Sequence, residues 1–474
     1  MRKQITSEKP EQTLSSGRSS ADAAQPEDIP SASTLRKTIV NLAWPVVLEL
    51  LLVSLLGMVN MIMVGHLGAG ALAAVGITSQ PVLICFILFQ AFNIGGTALV
   101  ARAVGQGDDG LARRISALTL WLNALAGIVV GMGTFLASEW LVRAMGATPD
   151  YLAEATLYMR WSALGVVLQA VPTGVSALTR GAGNTRLPAA FNLIANLVNV
   201  ALGYVLIYGP LGLPRLGILG AGIAQLGAKA VAMALSLWAM LGSDNLRIRI
   251  TGRNLLRPEF SSLGRLIKIG LPAAAEQTAM RLGLLVFSKL IADLGAVPLA
   301  AHTINMNIQG IIFNFGAALG AAATALTGQS LGRCRPDLAQ AYLRETRRLG
   351  LATSVVFSAA LVLFPRAIAS LFTPDPAILA ASQAILWVGA AIVPFQTSQL
   401  ILCGGLRGAG DTVWPLVATM CGVLIVRVLA GYLCIRVFGW GLPGGWYAFL
   451  FDQATRSLVI WLRFLSGKWK YRTI

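Results

Sequence analysis

Charge is scarce in this chain: only 12% of its 474 residues are Asp, Glu, Lys or Arg, and the acids number 20. Soluble domains carry roughly 25% charged residues, so water is not the main solvent of a chain that is 56% hydrophobic. Histidine occurs twice and cysteine five times, the latter without C-x-x-C spacing. That leaves neither a metal-ligand cluster nor a redox pair, and Cys85, Cys334, Cys403, Cys421 and Cys434 read as packing residues. There is no P-loop and no G-x-G-x-x-G ordered after a strand. These absences exclude soluble enzymology and ATP as a direct energy source, and no cofactor is expected; an ion gradient, of H⁺ or Na⁺, remains to drive any work. Residues 1–35 have no apolar core, so they form no secretory signal and read as a disordered tail.

What the chain does have is apolar runs of spanning length, such as Val46–Val64, Ile115–Leu136 and Gly217–Leu241, each near the ~20 residues that cross hydrocarbon. Only helices or closed barrels satisfy a backbone in lipid, and these runs lack the in/out alternation of barrel strands. The expected fold is an all-α membrane protein of about twelve transmembrane helices. They are predicted near 36–64, 72–103, 112–138, 152–179, 187–209 and 217–241, then 263–291, 299–330, 338–364, 376–404, 414–437 and 443–466.

Lys and Arg number 37, a net charge of +17, and position decides what that excess means. The basic side chains crowd the loops of one face, from Arg36 and Lys37 through the long central loop to Lys468, Lys470 and Arg472. The opposite loops hold little beyond Arg143, Arg215, Arg366 and Arg436. This is the positive-inside asymmetry, which places both termini in the cytoplasm and makes the bilayer, not nucleic acid, the partner of the charge.

Short motifs recur at a separation of 227 residues. Pro45-x-x-x-Glu49 returns as Pro272-x-x-x-Glu276, and Leu67-Gly68-x-x-x-Leu72-Ala73-Ala74 as Leu294-Gly295-x-x-x-Leu299-Ala300-Ala301. The turn Arg180-Gly181-Ala182-Gly183-Asn184-Thr185 returns as Arg407-Gly408-Ala409-Gly410-Asp411-Thr412. Unrelated patterns that share one shift mark a duplication, and a unit with an even number of spans returns in the same orientation. Two parallel six-helix lobes with a cleft between them follow: an N-lobe over 36–241, a linker over 242–262, a C-lobe over 263–466 and a tail over 467–474.

Ionisable groups inside spanning helices are costly unless they face a cavity or a partner. Glu49 lies about 18 Å along its helix from Lys37 at ~1.5 Å per residue, a depth near the middle of the bilayer, and Glu276 is its repeat mate. Both are candidates for binding a coupling ion or a cationic substrate. The alternative is structural: a carboxylate after proline suits a helix N-terminus, and Arg281 stands ready to neutralise Glu276. Asn192, Asn196 and Asn199 share one helical face, and with Asn60 and Asn305 they are candidates for lining a pathway. Asn307, Asn314, Gln90 and Asn93 repeat that signal more weakly. His302, alone, reads as a buried satisfied residue; Asp452 and Arg456, one turn apart, read as a pair.

From residue 35 to 466 the chain resembles the multidrug and toxin extrusion (MATE) transporters, in their prokaryotic DinF-like branch. The likeness rests on Met63-Val64-Gly65-His66-Leu67-Gly68, the twin Arg-Gly-Ala-Gly turns, and Gly328-Gln329-Ser330-Leu331-Gly332. It implies a monomer in the bacterial inner membrane that exports small amphipathic or cationic compounds in exchange for H⁺ or Na⁺. The branch's usual N-lobe acids are replaced here by Asn60 and Gly203, which leaves Glu49 and Glu276, one per lobe. A lipid-linked sugar flippase of the same superfamily, which wants a more cationic cavity, is an alternative. So are a major-facilitator carrier, whose motifs fit poorly, and a non-transporting scaffold.

Overall fold

A computed structural model describes residues 28–209, 215–242, 248–249 and 259–472. Most of the expected tail and linker lie outside these residues. Among the described residues every regular element is helical. The first half runs α1 (Ala32–Gly65), α2 (Ala69–Gln106), α3 (Asp109–Leu136), α4 (Ser138–Ala144), α5 (Pro149–Gly181), α6 (Arg186–Tyr208) and α7 (Gly217–Gly242). The second runs α8 (Leu263–Ala292), α9 (Ala296–Gly332), α10 (Pro336–Leu363), α11 (Pro365–Ser370) and α12 (Pro376–Gly408). It ends with α13 (Val413–Val437) and α14 (Gly441–Leu465). Setting aside the short α4 and α11, these make twelve long helices, and ten are long and apolar enough to cross a membrane. The other two, α8 and α14, carry Glu276 with Arg281 and Asp452 with Arg456 in mid-helix.

Local chemistry sets the helix ends. Ser31 and Asp108 cap α1 and α3 through their side-chain oxygens, and Asp375 accepts from Ala377 N at 2.8 Å to cap α12. Helix α1 therefore starts at Ala32, inside the stretch expected to be a tail. The C-terminal segment is also built: Trp469 is fully buried and Arg472 bonds Asp411. Helices α4 and α11, not expected from the sequence, begin 227 residues apart and so belong to the repeat. The halves differ at α13, which contains two π-helical stretches, Met420–Arg427 and Leu433–Val437. π-turns often occur at functional sites.

Two core clusters draw only on N-lobe residues and two only on C-lobe residues. The remaining two are mixed. Leu266 and Ile269 at the start of α8 pack among N-lobe residues, and Ile39 and Ala43 at the start of α1 pack among C-lobe residues. Each lobe thus lends its first helical turns to the other. The lobes meet most closely beside the basic loops. A Cβ on Gly105 would overlap the Gln329 carbonyl, and one on Gly332 the Arg102 carbonyl. Both members of this contact are 227 residues apart, so it is a two-fold seal made possible by absent side chains. Arg36 in α1 also bonds Glu345 in α10 there, at 3.1 Å. Away from that face the other four clusters each stay within one lobe, and Asn314 of α9 donates to Ser54 of α1 across the lobes at 3.2 Å.

Candidate functional site

Between the lobes lies a cavity of about 520 Å³ that both of them line. Helix α2 contributes Gln90, Asn93 and Thr97; α8 contributes Glu276, Gln277 and Arg281. The far wall carries Gln396 and Gln399 from α12, Arg427 from α13, and Gln453 with Arg456 from α14. Arg180 and Arg407, in the last turns of α5 and α12, form the floor next to the seal.

Neither candidate carboxylate stands free. Arg180 Nη2 donates to Glu49 Oε1 at 2.6 Å, and Arg407 Nη2 donates to both oxygens of Glu276 at 2.6 and 2.8 Å. The expected partner of Glu276 was Arg281; the actual partner is Arg407, contributed by a different helix. Two further expectations fall. Pro45 and Pro272 lie inside α1 and α8, so neither glutamate sits at a helix N-terminus. The paired arginines also come from helix ends, which puts both glutamates within an arginine's reach of the basic face rather than mid-bilayer. Glu276 lines the cavity, whereas Glu49 is buried behind Arg180.

The asparagines separate into groups. Asn192 Nδ2 donates to Glu49 Oε1 at 2.7 Å and Asn196 Nδ2 to the Asn192 carbonyl, so this pair supports the Glu49 ion pair rather than lining the cavity. Asn60 and Asn199 meet Gly203 in a separate N-lobe pocket of about 230 Å³. Asn305 is fully buried and donates one turn back to the Ala301 carbonyl; it does not line the central cavity. Gln90 and Asn93, the weaker signals, do line it. His302 is buried edge-on against Phe287 and Trp446.

Asp452 does pair with Arg456, at 3.1 Å, but it also holds Arg427, whose Nε donates to Asp452 Oδ2 at 2.9 Å. Arg427 was not foreseen. The signal was available: apart from Arg436 at the end of the run, Arg427 is the one charge in the apolar stretch Val413–Val437, and it stands in mid-span. The guanidinium is also held over the Phe449 ring, 4.1 Å from its centre. Gly422 lets α13 approach closely here, since a Cβ there would overlap Arg456 Cγ and Asp452 Oδ1.

A family model described as MatE matches residues 45–205 and 272–433, one match in each lobe. The chain belongs to the MATE family. Members of this family are transporters, so this multi-pass membrane protein is a transporter and not an enzyme. It is 26% identical over 448 residues to a probable multidrug resistance protein NorM of Thermotoga maritima, covering 94% of this chain and 95% of that one. It is 27% identical over 437 residues to the multidrug resistance protein PmpM of Pseudomonas aeruginosa, covering 91% and 88%. The same fold is found in the Vibrio cholerae MATE transporter VcmN, with a TM-score of 0.85 at 20% identity over 93% of this chain and 99% of that one. It is found as well in a multidrug resistance MATE transporter solved in an outward-facing conformation, with a TM-score of 0.85 at 21% identity over 94% and 100%.

Proposed function

We propose that this protein is a secondary active exporter of small amphipathic molecules, exchanging them for H⁺ or Na⁺ by alternating access of the central cavity. The observation that carries the reading is the two-fold seal of Gly105 on Gln329 and Gly332 on Arg102, which closes the basic end of a cavity that both lobes line. A duplicated pair of rigid lobes meeting through small residues suits rocking about a central site. The positive-inside asymmetry makes the sealed, basic face cytoplasmic, so the conformation is outward-facing. The bacterial relatives named for multidrug resistance support export across the inner membrane.

Glu276 is the coupling residue in this reading, because it is the one carboxylate among the described residues that lines the cavity. Binding of a proton or a sodium ion there competes with Arg407 for the same oxygens, which ties ion occupancy to the packing of α8 against α12. The test is efflux from proteoliposomes under imposed pH or sodium gradients. The expected result is gradient-dependent efflux that Glu276→Gln abolishes; intact gradient-driven efflux in that variant removes the assignment.

A further inference from the structure

We infer that the C-lobe wall of the central cavity is an anion site, and that the exported molecules carry a carboxylate, sulfonate or phosphate group on an apolar body. For its transport consequence the inference rests on the export reading above; as a statement about binding it stands alone.

Five arginines and one glutamate line the cavity: Arg180, Arg281, Arg407, Arg427 and Arg456 against Glu276. Glu49 and Asp452 stand immediately behind and pair with lining arginines. Counting them, the site still carries two positive charges in excess. One belongs to the triad, in which a single fully buried carboxylate, Asp452, serves both Arg427 and Arg456. The other is Arg281, which makes no ion pair among the described residues. Glu276, the lining acid, is already held by two hydrogen bonds from Arg407. A cationic ligand therefore meets an excess of like charge, and the share of it at buried Arg427 and Arg456 lies in a low-dielectric site where such repulsion is strong.

The arginines are also built to wait for an acceptor. Arg456 is only 3% exposed, and its Nη1 has no hydrogen-bond partner among the described residues. A buried guanidinium left unsatisfied is costly, and an anion entering the cavity supplies what it lacks. Asp452 and the Phe449 face hold Arg427 in place, and the contact at Gly422 holds Arg456. Little ordering is left to be done on binding. Met280, Leu284, Met306 and Phe313 form an apolar surface for the rest of the ligand, a combination of apolar lining and few charged groups typical of small-molecule sites.

The charge preference is read by fluorescence anisotropy on the purified full chain in detergent, titrated with carboxyfluorescein as anion and ethidium as cation. We expect carboxyfluorescein to bind at least about tenfold more tightly, with Arg281→Gln and Arg456→Gln each weakening it about tenfold while ethidium binding is tightened or at least not weakened. Arg281 is exposed, so its variant keeps the test valid if Arg456→Gln fails to fold. Ethidium binding as tightly as carboxyfluorescein, or Arg281→Gln leaving carboxyfluorescein affinity unchanged, overturns the inference. The source of the anion is separated in proteoliposomes. Gradient-driven carboxyfluorescein movement lost in Arg281→Gln identifies a free solute, and movement of NBD-labelled phosphatidylglycerol lost in that variant identifies a lipid headgroup. If binding prefers the anion but neither probe moves, the export reading fails and the anion site stands.

Discussion

Arg407 grips both carboxylate oxygens of Glu276, and the same two residue types, 227 positions earlier, form the Arg180–Glu49 pair. Each pair ties the first helix of a lobe to the end of that lobe's fourth long helix. The pairs are therefore braces within each lobe, and in the alternating-access reading proposed above it is one braced unit that moves against the other.

Breaking a buried pair from one side leaves an uncompensated charge, which costs about 3–5 kcal/mol. Glu276 is 2% exposed, so Arg407→Gln falls in this class. Thermal unfolding in detergent should show a clear drop in Tm for Arg407→Gln, most of it recovered in the double variant Arg407→Gln with Glu276→Gln. Equal losses in the single and double variants would mean that the pair does not brace the lobe.

The seal beside the basic loops depends on two glycines with no room for a side chain. Gly332→Leu and Gly105→Val should each cut efflux by more than about tenfold by preventing closure, while the protein still elutes as a folded species from size exclusion. Transport at the natural rate in either variant would rule out the seal as a closing element.

Cys334 is the one non-glycine among the described residues with a positive φ, at 59°, and its repeat mate Gly107 has φ 76°. A left-handed conformation costs an L-residue roughly 1–2 kcal/mol. Cys334→Gly should raise thermal stability by up to about 1 kcal/mol, since glycine loses part of that gain to entropy on folding. A lower Tm would show that the thiol makes contacts worth more than the strain.

Asn60 lines the N-lobe pocket, and its Oδ1 lies 3.9 Å from the place a Cβ on Gly203 would occupy. Asn60→Asp adds a titratable group to a pocket that has room for it. The pH profile of efflux should change while expression and folding persist; an unchanged profile would argue against any ion-linked role for the N-lobe pocket.

Much of this molecule was legible as text. Burying a continuous apolar run in lipid permits only a helix, so composition alone led to the all-helical spanning fold. A shift shared by Pro45, Leu67 and Arg180 with Pro272, Leu294 and Arg407 required parallel halves, because register survives in a duplicated sequence whatever the fold. Local chemistry also marked Glu49 and Glu276, since acids are rare in such runs. It could not say what they touch: their partners are 131 residues away, and an ion pair formed across helices leaves no trace in local spacing. The charge sign of the cavity was decided by tertiary structure for the same reason. Arg281, Arg427 and Arg456 lie on three helices, and only packing, through the space left at Gly422, gathers them on one wall.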